Sequence, residues 1–273
     1  MPTTVAELNA VVERLWPPDG TASWDAPGLL SGDPHAIVRH IHLAVDAVVE
    51  TVDEAVGAGA QALLVHHPLL LRGVTALPES TAKGAAIARL IRGGVALIAA
   101  HTNADVVASG TSAILAERIG LRDAEPIEPI ARDGGLGIGR VGELAEATTL
   151  GHLAQRLAEI LPPTATGIRG AGEWDAPVRR VAVCAGAGDS LLGHPLVQGA
   201  DVYITSDLRH HPASEARELG RIAERLMLLD TSHWAAEWLW LEVAAAELRA
   251  ELPELDVTVS ELRTDPWDFA VTQ

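Results

Sequence analysis

Histidine and acidic side chains with the spacing of metal ligands directly follow apolar runs of this sequence. His66 and His67 come immediately after the apolar run 62–65, and Pro68 restricts His67 to an extended backbone. Successive side chains of an extended backbone point to opposite sides, so adjacent histidines are awkward as two ligands of one ion. The pair therefore suits two neighbouring metal ions, with one histidine for each.

Two further units combine a histidine with an acid four residues later. His233 and Glu237 follow an apolar strand, and their spacing places both side chains on one face of a helix. His101 and Asp105 repeat this geometry if their segment is helical. Carboxylates can bridge two cations and offset their charge. A set of three imidazoles and two carboxylates fits zinc, manganese or iron, and fits calcium or magnesium poorly.

A solitary histidine is more often a hydrogen-bonded core or surface residue than a metal ligand. We interpret the remaining isolated histidines in this way: His35, His40, His42, His152 and His194. A single His-x-x-x-Glu is likewise most often a surface pair. One histidine pair and two histidine-plus-acid units, each after an apolar strand, rarely coincide by chance. The spacing therefore favours a metal site over purely structural roles.

The composition indicates a folded, acidic protein. The 273 residues suffice to bury a large core, in one domain or two. The net charge of −17 argues against partners such as nucleic acid or an anionic membrane surface. Cys184 is the only cysteine, which excludes an intrachain disulfide and a thiolate metal cage. The sequence starts without a signal-peptide pattern and has no apolar run of membrane-spanning length, so we expect a soluble cytoplasmic protein.

The elements that must position the candidate ligands alternate between strands and helices. A capping box from Thr4 to Glu7 predicts a helix that ends near residue 15. Apolar runs predict strands over 40–45, 62–65, 95–99, 180–184 and 201–205, and amphipathic stretches predict helices over 48–56, 84–91 and 149–161. This alternation predicts a largely parallel α/β fold, in which functional groups usually lie at the carboxyl ends of the strands.

A weak internal repeat relates two parts of the sequence. The segment 57–68, which ends in His-His-Pro, is echoed by 199–212. Each copy is followed by a helix, an apolar strand and a His-x-x-x-acid unit. A duplication would bring two similar halves together at a shared cleft. Chance similarity between α/β units explains the echo equally well.

Three further segments have roles that the sequence leaves open. The glycine-rich run 133–139 is a candidate domain boundary. The run from Gly186 to Asp189 could cradle a phosphate, but its incomplete dinucleotide fingerprint favours a plain turn between strand and helix. His210 and His211 either face the cleft, which we favour, or stabilise the turn at Pro212.

The candidate ligands lie in three short runs of the chain: Val65-His-His-Pro-Leu-Leu70, Ala100-His-Thr-Asn-Ala-Asp105 and Asp230-Thr-Ser-His-Trp-Ala-Ala-Glu237. Other pieces occur in a matching order: Trp24-Asp25, Gly28-Leu29, Gly135–Gly142, Ile204-Thr205, His210-His211 and Asp265-Pro266-Trp267. Together these runs resemble the GTP cyclohydrolase 1 type 2 homolog family, also called Nif-three-like, over nearly the whole chain. The chain departs from the family's pattern outside the ligands, at Ala26, at Ser206-Asp207 and at Ser232.

The resemblance implies two similar α/β domains with a dinuclear metal site in the cleft between them, and a ring-shaped homohexamer. We predict a discontinuous first domain, residues 1–126 with 231–273, and a second domain, residues 127–230. The family's ligands fall on His66, His67, Asp105, His233 and Glu237. His101 then becomes a neighbour that supports a ligand or carries a proton, and it competes with Asp105 for a ligand's role. The implied cofactor is two divalent ions per chain, either zinc, iron or manganese.

These ligands predict a hydrolytic chemistry. Two divalent ions carry four positive charges and two carboxylates cancel two of them, so the pocket should attract a small anionic molecule. A metal ion lowers the pKa of bound water to roughly 7, which provides a nucleophile at neutral pH. We therefore predict a hydrolase of a nucleotide-like substrate, and the family name points to opening of the guanine ring of GTP. The alternative is a metal-binding or metal-handling protein without turnover. A scaffold in which the metals only join two domains is favoured less.

Overall fold

The computed structural model describes residues 2–130, 135–223 and 225–272 and has a mixed α/β fold. Its helices are α1 (Val5–Leu15), α2 (Val49–Gly57), α3 (Ala82–Gly93), α4 (Thr102–Asp105), α5 (Thr111–Arg118), α6 (Leu150–Ile160), α7 (Pro195–Gln198), α8 (His210–Ala223) and α9 (His233–Glu251). Its strands are β1 (Gly28–Ser31), β2 (His40–Asp46), β3 (Ala62–His67), β4 (Ala96–Ala99), β5 (Leu121–Glu125), β6 (Glu128–Pro129), β7 (Gly137–Ile138), β8 (Arg140–Thr149), β9 (Arg169–Ala171), β10 (Pro177–Ala187), β11 (Val202–Ser206), β12 (Met227–Thr231) and β13 (Asp256–Val259).

The chain divides into two compact units at positions other than those predicted. Unit 1 comprises residues 1–104 and 241–264, and unit 2 comprises residues 105–240 and 265–273. The predicted boundaries were 126/127 and 230/231. The segment after residue 104 belongs to unit 2 because its helix α5 contacts β5, β8 and β10. Of the glycine-rich run 133–139, residues 133 and 134 lie outside the described residues, and Gly137–Ile138 forms β7 within unit 2.

Unit 1 is built on a five-stranded sheet in the order β1-β4-β3-β2-β13. The pairs β4–β3, β3–β2 and β2–β13 are parallel, and β1 joins the edge in the antiparallel direction. The inner strand β3 is apolar up to its last two residues, and its Leu63 and Val65 are fully buried, as expected for a parallel strand covered on both faces. Leu63, Val65 and Leu97 form a core with α2 and α3 residues such as Val52 and Leu90.

Unit 2 contains a six-stranded sheet in the order β5-β8-β10-β11-β12-β9. Only the pairs β10–β11 and β11–β12 are parallel, whereas β5–β8, β8–β10 and β12–β9 are antiparallel. The prediction of a largely parallel fold is therefore correct for unit 1 and wrong for unit 2. The apolar runs do not encode strand direction, and β5, β8 and β9 pair antiparallel on the two sides of the parallel centre.

The helix ends follow the polar residues that the sequence places there. The predicted capping box is present at α1, where the Thr4 hydroxyl accepts from the Glu7 amide and the Glu7 carboxylate accepts from the Thr4 amide. The hydroxyl of Thr149 caps α6 by accepting from the amide of His152, at the predicted start of that helix. No helix in the described part of the chain is both long enough and apolar enough to cross a membrane.

The echo between 57–68 and 199–212 has a counterpart in topology. In each unit three consecutive strands pair in parallel and in chain order, β2-β3-β4 in unit 1 and β10-β11-β12 in unit 2. Each middle strand lies within the echoed segment, with β3 ending at His67 and β11 at Ser206. The histidines differ, however, because His66 and His67 end β3 whereas His210 and His211 begin helix α8. The two pairs are therefore not structural equivalents.

Candidate metal centre

The first group of candidate ligands lies at the carboxyl ends of two neighbouring parallel strands. Val65 of β3 pairs with Ala99 of β4, so the next residues of both strands leave the sheet at the same edge. His66 and His67 are the last two residues of β3, and His101 comes two residues after β4. This edge is where α/β sheets usually hold functional groups. The predicted position of these three side chains at the ends of strands is confirmed.

Three imidazoles meet at this edge, and we call His66, His67 and His101 the imidazole set. Their ring centroids are 5.1 Å, 5.2 Å and 5.5 Å apart. One ligand nitrogen from each lies within 4.8 Å of the others. The expectation that the adjacent His66 and His67 point to opposite sides holds for their burial, since only His66 is fully buried. It is wrong for their rings, because the two ring centroids are only 5.1 Å apart.

Hydrogen bonds fix the orientation of the two adjacent histidines. Nδ1 of His66 donates to the backbone carbonyl of Ala100 at 2.9 Å. Nδ1 of His67 donates to Oδ1 of Asp46, the last residue of β2, at 2.7 Å. In a neutral imidazole with its hydrogen on Nδ1, the lone pair is on Nε2. Both residues therefore have Nε2 as the nitrogen that can bind a metal ion.

His101 is held by an acid that the spacing argument did not identify. Nδ1 of His101 donates to Oδ1 of Asp25 at 2.9 Å. Asp25 is fully buried at its side chain and also accepts from the backbone amide and hydroxyl of Thr102 and from the amide of Ala26. Burial alone would raise the pKa of Asp25, but the hydrogen bonds from Thr102 and His101 outweigh it and lower that pKa. Asp25 is therefore an ionised anchor for His101.

The second group of candidate ligands belongs to unit 2, and we call Asp105, His233 and Glu237 the carboxylate set. Helix α9 begins at His233, and Ser232 caps it by accepting from the amide of Ala235 at 3.2 Å. Nε2 of His233 lies 2.9 Å from Oε1 of Glu237, one turn later on the same helix. The prediction that the two share one helical face is confirmed.

The ring of His233 is oriented, like the rings of the imidazole set, by a hydrogen bond from Nδ1 to an oxygen acceptor. Its Nδ1 donates to Oδ2 of Asp207 at 2.7 Å, so Nε2 is again the ligand nitrogen. Asp207 directly follows β11 and has a φ of 57°, a left-handed conformation that aspartate tolerates. Burial alone would lower the pKa of His233, but the carboxylates of Glu237 and Asp207 outweigh it and raise that pKa to about 11.

Gly186 accommodates the His233–Glu237 pair. It has a φ of 80°, and a Cβ atom at this position would lie 2.4 Å from Oε1 of Glu237 and 3.3 Å from Nε2 of His233. Gly188 is also closely packed, since its Cβ would lie 2.2 Å from the hydroxyl of Tyr203. The glycines after Cys184 are therefore explained by a tight turn and close packing, without a phosphate.

The carboxylates of Asp105 and Glu237 both influence the ionisation of Cys184. Burial raises the pKa of Cys184 to about 12, and the charges of Asp105 and Glu237 add to the increase. Oδ1 of Asp105 accepts from the hydroxyl of Thr111 at 2.6 Å, which orients the carboxylate at the start of unit 2. The segment before it is helical for one turn, α4, which follows His101 directly. His101 groups with the other imidazoles, and Asp105 carries one of the two negative charges of the carboxylate set.

Sequence reasoning missed the three acids that hold the histidines: Asp25, Asp46 and Asp207. Two of them could have been found from the expectation that functional side chains lie at the carboxyl ends of parallel strands, which also located the candidate ligands. Asp46 is the last residue of β2 and Asp207 follows β11, so each is a polar residue at the carboxyl end of an apolar strand. Asp25 gives no such signal, because it lies in the loop before β1, 76 positions from His101.

For three of the five histidines that we interpreted as structural, the described residues include a hydrogen-bond partner of the imidazole: His40, His42 and His194. His42 contacts the Thr258 hydroxyl through Nδ1 and the Glu54 carboxylate through Nε2, and His40 contacts the same hydroxyl. His194 caps α7 by accepting from the Leu196 amide. His210 and His211 are exposed, with their rings 5.2 Å apart. Within the described residues, neither belongs to a group of three metal-binding side chains.

The donor set fits a transition-metal ion. Each of the four imidazoles donates from Nδ1 to a carbonyl or carboxylate oxygen within its own unit. Hydrogen bonds of this kind orient metal-binding histidines and increase their basicity. Imidazoles with a few carboxylates suit zinc, iron or manganese, and the structure describes neither a thiolate nor an all-oxygen cage at these positions.

Comparisons with known proteins give a consistent family and fold. A family model described as Duf34/NIF3 (NGG1p interacting factor 3) matches residues 3–266. A protein of Streptomyces coelicolor named GTP cyclohydrolase 1 type 2 homolog is 47% identical over 270 residues, covering 96% of this chain and 93% of the relative. A Mycobacterium tuberculosis protein of the same name is 32% identical over 376 residues, covering 98% of each chain.

Solved structures share the fold over almost the whole chain. A Bacillus cereus protein related to NIF3 matches with a TM-score of 0.88 and 24% identity, covering 99% of this chain and 100% of that chain. A hypothetical protein of Staphylococcus aureus matches with a TM-score of 0.86 and 27% identity, with the same coverage.

Proposed function

Because this chain belongs to the Duf34/NIF3 (NGG1p interacting factor 3) family, we propose that it binds two divalent metal ions and hydrolyses a small anionic, nucleotide-like substrate. The resemblance predicted from the sequence motifs is confirmed by the family match and by the relative that is 47% identical. The proposed ligands are His66, His67, Asp105, His233 and Glu237. The imidazole set and the carboxylate set would together serve one dinuclear centre, in the cleft that the resemblance implies.

The observation that carries this proposal is the common orientation of the imidazoles. Nδ1 of His66, His67 and His233 is engaged by an oxygen acceptor, so each residue has Nε2 as its ligand atom. A histidine that only stabilises a fold can use either nitrogen, as His42 does with Thr258 and Glu54. The same orientation in three candidate ligands from two units supports metal binding.

The charges of the ligand sets support an anionic substrate. The imidazole set adds no negative charge when neutral, and the carboxylate set adds two. Two bound divalent ions would supply Lewis acidity and a lowered pKa for water, which is the chemistry that hydrolysis requires. The net positive charge of such a pocket would attract an anion although the chain as a whole is acidic. GTP is the first substrate to test, because relatives are named GTP cyclohydrolase 1 type 2 homolog.

His101 is the residue that we propose for proton transfer. Its Nδ1 donates to the ionised and buried Asp25, which fixes the ring. Its Nε2 is the remaining proton-carrying atom, and the ring lies 5.2 Å from that of His66. A histidine in this position can give a proton to a leaving group or take one from water.

Metal analysis of the purified protein tests the proposal directly. We expect about two equivalents of zinc, iron or manganese per chain, as in two-metal hydrolases. After the metal is removed and restored, a panel of GTP, other nucleotides and small phosphate esters should reveal hydrolysis that depends on the metal. One equivalent of metal or none would contradict the dinuclear centre.

The same panel separates a hydrolase from a metal-handling protein. Two equivalents of readily exchanged metal, with no hydrolysis of any compound, would support metal handling and contradict the enzyme.

We also propose a cytoplasmic homo-oligomer, a hexamer by resemblance. Sedimentation of the metal-loaded protein should then give about six times the 28.7 kDa chain mass, and a monomer would contradict this part of the proposal.

A further inference from the structure

We propose that Trp24 is a stacking surface for a planar heteroaromatic ring of the ligand that binds at the imidazole set. This inference rests on the proposed function, and it adds a substrate class and a specificity residue that the metal ligands alone do not define. The residues that carry it all belong to unit 1: Trp24, Asp25, His101, His66 and His67.

Trp24 extends the cluster of rings toward solvent. Its ring centroid lies 5.8 Å from that of His101, with an angle of 75° between the two planes. His101 in turn lies 5.2 Å from His66 and 5.5 Å from His67. Exposure increases along this series, from the fully buried His66 to Trp24, which is 60% exposed. The indole therefore lies at the open side of the imidazole set.

The indole is exposed on a loop that is firmly attached. The next residue, Asp25, is fully buried at its side chain and accepts hydrogen bonds from His101, Thr102 and Ala26. The amide of Ala22 donates to the Thr102 hydroxyl at 3.0 Å, which fixes the other side of the same turn. An anchored turn holds the ring in place before a ligand arrives, and this reduces the conformational entropy lost on binding.

An indole in this setting favours a flat aromatic ligand. A planar side chain with more than half of its surface exposed has at least one π face open to solvent. Indole faces bind heteroaromatic rings by stacking, and such contacts tolerate different bases because every base has a π face. The imidazole set beside it is suited to the metal-assisted chemistry of the same ligand. A nucleobase-like ring on Trp24, with its reacting bond at the imidazole set, satisfies both features.

The test measures binding of compounds that differ in the aromatic ring. Equilibrium dialysis of the metal-loaded full chain would use GTP, guanosine, adenosine and inorganic triphosphate, with wild type, Trp24→Ala and Trp24→Phe. We expect Trp24→Ala to weaken GTP and nucleoside binding by roughly 5- to 100-fold. Triphosphate affinity and metal content should not change, and Trp24→Phe should retain most of the affinity because it keeps a ring.

A matched control uses another exposed tryptophan. Trp174 is 55% exposed in unit 2, where a Cβ on Gly151 would contact its ring. Trp174→Ala should leave nucleoside affinity unchanged. Equal weakening by both variants would assign the effect to a general loss of folding and contradict the inference.

The outcomes separate this inference from the proposed hydrolase. Unchanged guanosine and adenosine affinity in Trp24→Ala would overturn the stacking role, and so would an equal loss of triphosphate affinity. A change of oligomeric state in Trp24→Ala without a change in nucleoside affinity would assign Trp24 to a subunit contact instead. If wild type hydrolyses a non-aromatic anion and binds no nucleoside, the hydrolase stands and this inference fails. If nucleosides bind through Trp24 but nothing is hydrolysed, the hydrolase fails and this inference stands.

Discussion

The two ligand sets differ in both charge and anchoring. The imidazole set presents three side chains that add no negative charge, and their acceptors include the Ala100 carbonyl and the fully buried Asp25. The carboxylate set combines one imidazole with two acids, and the acceptor for His233 is Asp207, whose side chain is 60% exposed. The first set is therefore firmly anchored and adds no negative charge, whereas the second has the negative charge that would offset bound cations and has a more exposed anchor.

This difference indicates separate tasks for the two sets. Neutral ligands leave a divalent ion with its full charge, which makes it a stronger Lewis acid toward an anionic substrate. Carboxylates reduce the repulsion between two neighbouring cations and so determine how tightly the pair is held. Substitutions in the carboxylate set should accordingly affect metal affinity most. Substitutions of the buried anchors of the imidazole set should come next, and those of the exposed anchor should come last.

The largest effect is expected for Glu237→Ala. Glu237 is buried and contributes one of the two negative charges, so its loss leaves the second cation without charge compensation. Loss of a residue that only supports a metal ligand typically lowers metal affinity by about 10- to 100-fold. Because Glu237 is itself a proposed ligand, we expect metal affinity to fall by more than about 100-fold. Isothermal titration of the metal-free protein with zinc, together with metal counting, would measure this loss. Any hydrolytic activity should disappear with it.

Glu242→Ala is the matched control, because Glu242 is an exposed acid on the same helix α9. It should bind metal as wild type does. Two equivalents of metal at wild-type affinity in Glu237→Ala would remove Glu237 from the ligand set and with it the distinction drawn between the two sets.

A somewhat smaller effect is expected for Gly186→Ala. The new methyl group would clash with the Glu237 carboxylate, and the φ of 80° is unfavourable for alanine. We expect a loss of stability of about 1–3 kcal/mol, with weaker metal binding. Urea unfolding and zinc titration would measure the two effects. Gly193→Ala is the control, because a Cβ there meets no atom within 4 Å. A Gly186→Ala protein with wild-type zinc affinity would show that this glycine does not shape the carboxylate set.

Asp25→Asn tests the buried anchor of the imidazole set. Asp25 accepts from His101, Thr102 and Ala26, and an amide has one oxygen acceptor and a nitrogen that would face these donors. We expect metal affinity or metal-dependent activity to fall by about 10- to 100-fold. The exposed Asp19→Asn in the same N-terminal segment is the control.

Thermal unfolding of Asp25→Asn without metal must be measured beside its activity. We expect a loss of function that is greater than the change in stability accounts for. The size of this loss should depend little on salt concentration, because the anchor is buried. Wild-type activity in a folded Asp25→Asn protein would contradict the role given to Asp25 and weaken the case for His101 in proton transfer.

The sequence could predict those features that depend on local patterns. The apolar runs located β2, β3, β4, β10 and β11, and the Thr4–Glu7 spacing located the start of α1. His66 and His67 were found because a parallel strand places its last side chains at a known edge. The His233–Glu237 pair was found because a helix repeats about every four residues.

Features that depend on long-range contacts were not predictable. Asp25 meets His101 across 76 positions, and only the folded loop brings them together. The antiparallel strands β5, β8 and β9 have no pattern that distinguishes them from parallel ones. Likewise, the sequence around Gly186 fits either a turn or a phosphate-binding loop. Only the structure shows that a Cβ at this position would clash with Glu237. Spacing and the resemblance to a family predicted the five candidate ligands, but the hydrogen bonds that orient their side chains come from tertiary structure alone.

The smallest effect is expected for Asp207→Asn, which tests the exposed anchor of the carboxylate set. Asparagine tolerates the left-handed backbone at this position and keeps an oxygen that can accept from Nδ1 of His233, so only the negative charge is lost. Because Asp207 is largely exposed, solvent and salt already screen this charge. We expect less than about a 10-fold loss of zinc affinity, and the difference from wild type should shrink further as salt is raised.

Asp175→Asn removes the same charge from an exposed acid elsewhere in unit 2 and should have no effect. If Asp207→Asn costs as much metal affinity as Asp25→Asn does, then exposure of the anchor is not what distinguishes the two sets. The left-handed Asp207 would then have to hold His233 as firmly as the buried Asp25 holds His101. The firm anchoring assigned to the imidazole set would no longer separate it from the carboxylate set, and only the difference in charge would remain.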